Sequence, residues 1–259
     1  MRSFFDMISA RQNPAELFHQ TTSGTDGDDT IVSHHQSEWL SGGKGRDTLF
    51  ASDEGSHMYG GADDDIFYAG KGADSINGGP GNDEVRYSNS DQGVYVDLVY
   101  PSNNGGDAKG DTFASIENVT GSSHGDYLLG DGANNTLRGL SGDDYLEGRA
   151  GNDDLYGGSG NDKLRGGADA DTFHFDRSSE GSHGIIIRDF ESGVDKIDLS
   201  KTLGHVVTEN PNINGGWHLS YDYAKHEATL DLQKSGSASG TTIHLEHIDH
   251  PLTNDDFIV

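Results

Sequence analysis

Acidic side chains at a fixed interval are the chemistry this chain offers. From Gly24 a nine-residue unit runs in register to Arg86, with copies starting at Gly24, Ser33, Gly42, Ala51, Gly60, Ala69 and Gly78. A second array starts at Gly121, Gly130, Gly139, Gly148, Gly157 and Gly166 and ends at His174. The sixth position is Asp29, Asp47, Asp65, Asp74, Asp83, Asp126, Asp144, Asp153, Asp162 and Asp171; Glu38, Ser56 and Asn135 are the departures. Glycines at positions 1, 2 and 4 permit a tight turn with φ > 0 and leave carbonyls unshielded. Carbonyls beside a carboxylate form the oxygen-only donor set that a hard cation such as Ca²⁺ takes. The candidate ligands are therefore those ten aspartates, with Gly43, Gly45, Gly61, Gly70, Gly72, Gly79, Gly81, Gly142, Gly151, Gly158, Gly160 and Gly167.

Something must hold these turns in line. Positions 7 to 9 suit a short strand whose alternation turns position 8 inward. Position 8 is apolar in every copy: Ile31, Leu40, Leu49, Met58, Phe67, Ile76 and Val85, then Leu128, Leu137, Leu146, Leu155, Leu164 and Phe173. One unit cannot bury a single apolar residue, but stacked units can. The bulk numbers agree that such a core is thin. Only 31% of residues are hydrophobic, and 44 acids against 17 bases leave a net charge of −27. That balance predicts disorder unless a cation contributes to folding. It also makes nucleic acid a poor partner. Cysteine is absent, so no disulfide is available. No stretch approaches the roughly 18 apolar residues of a membrane span.

The units GGKGRDTLF, GGPGNDEVR and GGSGNDKLR resemble the calcium-binding nonapeptide of the RTX family of exported bacterial proteins. The likeness is closest to the C-terminal region of serralysin-type metalloproteases, and similar modules end the alginate epimerases. The resemblance implies an all-β fold, a parallel β-roll in which two units make one coil. Calcium would then sit between the loops of units i and i+2. Counted over stacked loops, this implies about seven ions. It further implies a secreted, extracellular protein whose partners are calcium and a type I secretion exporter, unfolded during passage and folded where calcium is abundant. The terminal run Asp256-Phe257-Ile258-Val259 resembles the export signal of such substrates, although the same residues would also suit an edge strand. The alternative reading is an extracellular polysaccharide-binding or adhesion module, or an accessory to a serralysin-like protease or epimerase.

These readings divide the chain into an N-terminal amphipathic segment (1–23), a first array (24–86), an intervening β segment (87–120), a second array (121–174) and a C-terminal cap (175–259). Phe4, Phe5, Met7, Ile8, Leu17 and Phe18 predict a short helix interrupted at Pro14. Residues 184–200 resemble the serralysin pattern DxIxDFxxGxDKIDLS, with Ile185 where that family has Asp. The alternating stretches at residues 217–221, 228–232 and 242–245 predict antiparallel cap strands. No catalytic role is expected. His226-Glu227 lacks the second histidine of HExxH. The string Gly121-Ser122-Ser123-His124-Gly125 lies inside a repeat and not between a strand and a helix. His244, His247 and His250 are expected to diverge along a strand, and Phe50, Tyr59 and Tyr68 are candidates for stacking on sugar rings.

Overall fold

Each unit divides into a six-residue turn and a three-residue strand, because only position 8 has apolar surface to bury. The structure, a computed structural model, describes residues 21–175, 183–200, 217–233 and 240–258. The strands form three sheets. The first has the order β1 (Thr21–Ser23), β3 (Glu38–Lys44), β5 (Ser56–Ala62), β7 (Ser75–Asn77) and β10 (Thr112–Ala114). The second begins with β2 (Thr30–Val32), β4 (Thr48–Phe50), β6 (Ile66–Tyr68), β8 (Glu84–Arg86) and β11 (Asn118–Thr120). It continues through β13 (Thr136–Arg138), β15 (Asp154–Tyr156), β17 (Thr172–His174), β19 (Lys196–Asp198) and β23 (Phe257–Ile258). The third starts at β9 (Tyr95–Asp97), then β12 (Tyr127–Leu129), β14 (Tyr145–Ala150), β16 (Lys163–Ala168) and β18 (His183–Ile187). It ends with β22 (Gly240–Leu245), β21 (Glu227–Gln233) and β20 (Trp217–Asp222).

Neighbouring strands in the roll are parallel and pair one coil apart, as in Leu49↔Phe67 and Leu137↔Leu155. This register stacks every position-8 residue on its counterpart. Leu49, Phe67, Val85, Leu137, Leu155 and Phe173 from the second sheet are fully buried, and so are Leu128, Leu146 and Leu164 from the third. The two arrays form one continuous roll, because β11 bridges them: Val119 pairs with both Val85 and Leu137.

Residues 87–120 break the sequence period but not the coil. β9 founds the third sheet against β12, and β10 closes the first sheet against β7. The apolar middle residue survives in both contexts, with buried Val96 on Leu128 and half-buried Phe113 on Ile76. Between β10 and β11 the turn shrinks to Ser115, Ile116 and Glu117, with Ser115 at φ 50.

The predicted antiparallel cap is correct only in part. Among the described strands, antiparallel pairing joins β20, β21 and β22, beside one isolated bridge between Tyr95 and Gly105. β18, β19 and β23 add parallel strands to the roll instead, and β22 itself joins β18 in parallel. The cause is that Ile187, Ile197, Phe257 and Leu245 fall in line with the position-8 columns, so the core extends into the region read as cap. The predicted N-terminal helix lies outside the described residues; Thr21–Ser23 is strand paired with β3. No described helix is long and apolar enough to cross a membrane.

Leu137 sits mid-roll with both strand neighbours apolar and no exposure. Leu137→Ala is expected to cost about 2–5 kcal/mol in calcium, while Tyr127→Ala, on the 52% exposed outer face, should cost much less. Denaturant unfolding of both variants checks the comparison.

Candidate metal-binding loops

The position-6 carboxylates do two separate jobs with their two oxygens. Oδ1 ties adjacent coils. The amide of Asp29 donates to Asp47 Oδ1, Asp47 to Asp65, and Asp65 to Asp83, each at 2.8 Å. The ladder then continues from Asp83 to Glu117 Oε2 at 2.8 Å. It resumes from Asn135 to Asp153 (2.7 Å), from Asp153 to Asp171 (2.9 Å) and from Asp171 to Asp195 (3.0 Å). On the opposite edge Ser56 donates to Asp74, and Asp74 to Asp111. Beyond the interruption Val94 donates to Asp126, Asp126 to Asp144 and Asp144 to Asp162.

Oδ2 turns back into its own turn. In Asp47, Asp65, Asp74, Asp83, Asp144, Asp153 and Asp171 it is buried and accepts no hydrogen bond. Position 1 is glycine in all of these turns except that of Asp74, which has Ala69 there. A Cβ on Gly42, Gly60, Gly78, Gly139, Gly148 or Gly166 would overlap the carboxylate of its own turn. Buried oxygens of this kind are costly unless something positive meets them. Among the described residues no three His, Asp or Glu side chains converge as a metal cluster. A cation in these turns must therefore rest mainly on carbonyls, with a carboxylate from each loop. The closely stacked loop glycines supply those carbonyls: a Cβ on Gly61 would strike Gly43 O, one on Gly79 Gly61 O, and one on Gly160 Gly142 O. Gly45, Gly70, Gly72, Gly81, Gly151, Gly158 and Gly167 are pressed against the adjoining coil in the same way.

Position 2 decides whether Oδ2 is left open. Where it adopts a left-handed backbone, its N–H points away. Gly43, Gly61, Gly79, Gly158 and Gly167 do so, and so do Leu140 (φ 74) and Arg149 (φ 86). Elsewhere the position-2 amide closes on the sixth side chain: Thr25 on Asp29 (2.6 Å), Ser122 on Asp126 (2.6 Å) and Asp131 on Asn135 (2.8 Å). His34 on Glu38 and Ser52 on Ser56 complete the degenerate edge of the first array in the same way. The Asp74 turn is intermediate, since Gly70 N approaches its carboxylate while Oδ2 makes no well-formed hydrogen bond. At position 4, Asp63 and Asp169 keep the turn by adopting φ 79 and 77 themselves.

Several contributors were not singled out in the sequence. Position 5 carries Asp or Asn in many units, and these side chains form a second ladder: Asp28 accepts from Arg46 N, Asp64 from Asn82 N, Asp143 from Asn161 N, and Asn152 from Ala170 N. Asp195 belongs to a further unit, 190–198, in which Gly193 and Ile197 hold positions 4 and 8; its Oδ2 is closed by Glu191 N. Asp256, before β23, accepts from Thr253, Ser192 and Gly193. Ile185 stands where the next ladder aspartate after Asp162 would be, and is buried. His244 and His247 diverge, one toward Thr229 and the other toward the Arg188 carbonyl. Phe50 and Tyr68 stack face to face at 4.6 Å, but Tyr59 lies on the first sheet and cannot join them.

Burial, reinforced by neighbouring carboxylates, pushes the open aspartates upward. Asp74 and Asp144 reach about 8, Asp83, Asp153 and Asp171 about 7, and Asp65 about 6. These folded values lie above the unfolded carboxylate range, so ionisation near neutrality opposes folding when no cation is bound. In calcium-free buffer, stability should rise as pH falls from about 8 to about 5, through those folded values. Calcium binding should reverse the trend, because protons compete with the ion. Melting curves at several pH values, with and without calcium, check both signs.

The chain matches the family described as peptidase M10 serralysin C terminal over residues 77–259. It matches the RTX calcium-binding nonapeptide repeat (4 copies) at residues 23–49, 36–54 and 56–86. No curated protein matches it. Among solved structures, the AlgE6R3 subunit of the Azotobacter vinelandii mannuronan C5-epimerase is 34% identical, with a TM-score of 0.42, over 52% of this chain and 78% of that one. The AlgE6R2 subunit of the same enzyme is 30% identical, with a TM-score of 0.46, over 56% of this chain and 94% of that one. The chain thus belongs to the serralysin C-terminal family and carries calcium-binding RTX repeats.

Proposed function

We propose that this protein is a non-catalytic RTX roll, exported through a type I route, that folds outside the cell as calcium enters its turns. The observation that carries the reading is the row of buried Oδ2 atoms with no hydrogen-bond partner, each set in a turn crowded with carbonyls. Calcium is the ion of choice because the donors are all oxygen and numerous. Its ligands are the position-6 aspartates with an open Oδ2, together with carbonyls of the stacked glycine turns. The stacked loops take about seven ions.

The coupling to folding follows from the charge. With −27 on the chain and its acids packed along two edges, the empty turns repel. Binding to a site absent in the unfolded chain adds directly to folding free energy. Extracellular calcium modules work at roughly 10⁻⁴ to 10⁻³ M, a range met outside the cell and not in the cytoplasm. A second reading, a polysaccharide-binding surface, draws on the stack of half-buried Tyr95, exposed Tyr127 and half-buried Tyr145, whose rings repeat at 5.6 Å. Glycan binding in calcium, lost on Tyr127→Ala, tests it.

The main reading predicts that chelation abolishes the β signal in circular dichroism and that about millimolar calcium restores it. Equal β content in both conditions would falsify the coupling. Asp65→Asn keeps the acceptor for Asp47 N–H but withdraws the charge. It should bind about one ion fewer and raise the calcium midpoint several-fold, read by native mass spectrometry and titration.

A further inference from the structure

The loop pair beginning at Gly130 and Gly148 departs from the others in two respects. The first turn carries Asn135, an amide whose Oδ1 already accepts the Asp131 N–H at 2.8 Å. The second carries Arg149 at position 2, where Gly43, Gly61, Gly79, Gly158 and Gly167 stand in other units. Arg149 holds the left-handed backbone of those glycines, at φ 86. Its turn is therefore an ordinary open one, bearing a cationic side chain.

That side chain does not run into solvent; it is 23% exposed. One Nη donates to the Gly130 carbonyl, the position-1 carbonyl of the neighbouring turn. The other lies 3.0 Å from Asp97 Oδ1, a carboxylate that is 1% exposed. The guanidinium also faces the Tyr100 ring at 5.7 Å. Asp97 is otherwise held by the amides of Val99 and Tyr100 and by Asn103 Nδ2. A turn carbonyl and a buried carboxylate are the partners a hard cation would have, and the guanidinium meets both with a permanent charge and directed donors.

We propose that Arg149 is a built-in cation that replaces one calcium ion at the Gly130–Gly148 loop pair and fastens the second array to the interrupting segment independently of calcium. This deepens the calcium-binding reading and rests on it: the open loop pairs wait for metal, and this one carries its own charge. The calcium inventory falls by one accordingly.

Asn135→Asp and the double variant Asn135→Asp/Arg149→Gly test the assignment, with bound calcium per chain counted by native mass spectrometry and folding in calcium followed by circular dichroism. Glycine suits the left-handed position, so the double variant restores an ordinary unit. Asn135→Asp alone should bind the wild-type number of ions, because the guanidinium still fills the place. The double variant should bind one more. A gain of one ion by Asn135→Asp alone overturns the proposal, and so does a folded double variant with no gain. If the double variant does not fold, the count for Asn135→Asp alone decides. A wild type that binds no calcium overturns the proposed function and this inference with it; normal wild-type binding without the gain overturns this inference alone.

Discussion

The fold depends on a carboxylate divided between two tasks. In the open turns one oxygen of the position-6 aspartate takes a backbone N–H from the coil before it, and thereby fixes the spacing of the turns. The other is thereby drawn into the turn, away from water and from any donor. Alone, that is an unfavourable bargain, since a desolvated anion costs several kcal/mol. The roll offers little to offset it, for each unit contributes a single fully apolar side chain. On the proposed reading a divalent ion resolves the conflict by meeting the stranded oxygens of two coils together. The acidity that argues for disorder in composition is the same acidity that the folded edges arrange in rows.

Much of this was legible in the sequence because the period is rigid. A nine-residue spacing leaves one residue in nine facing the core, so the columns from Ile31 to Phe173 could be drawn before any coordinate. Three things were not legible. Glu117 and Asp256 serve neighbouring turns where the spacing fails, and only the folded contacts reveal them. The antiparallel cap, drawn over residues 175–259, took in strands that extend the roll in parallel; direction depends on the partner, which the pattern does not name. Openness of the turns was the third. Leu140 and Arg149 adopt a backbone usually left to glycine, and residue type alone does not announce that conformation.

The interruption shows what the roll requires and what it tolerates. Residues 98–111 wander through two short 3-10 turns, yet the chain re-enters on the same column at Val119. Only the second sheet runs unbroken; the opposite wall changes from one sheet to another between β10 and β9. Tyr87, buried and bonded to Asp111 at 2.5 Å, secures this junction from inside. Insertions are thus absorbed on one wall while the other preserves the count.

The handedness of position 2 has a consequence for how such chains diversify. One residue in nine, remote from the apolar columns, sets whether a turn is charged and waiting or satisfied by its own amide. On the proposed reading, exchanging Thr25 for glycine, or the reverse elsewhere, would alter ion stoichiometry while leaving the apolar columns untouched. A lineage can therefore retune its response to salinity rung by rung, in the manner of a rheostat, while the scaffold stays the same.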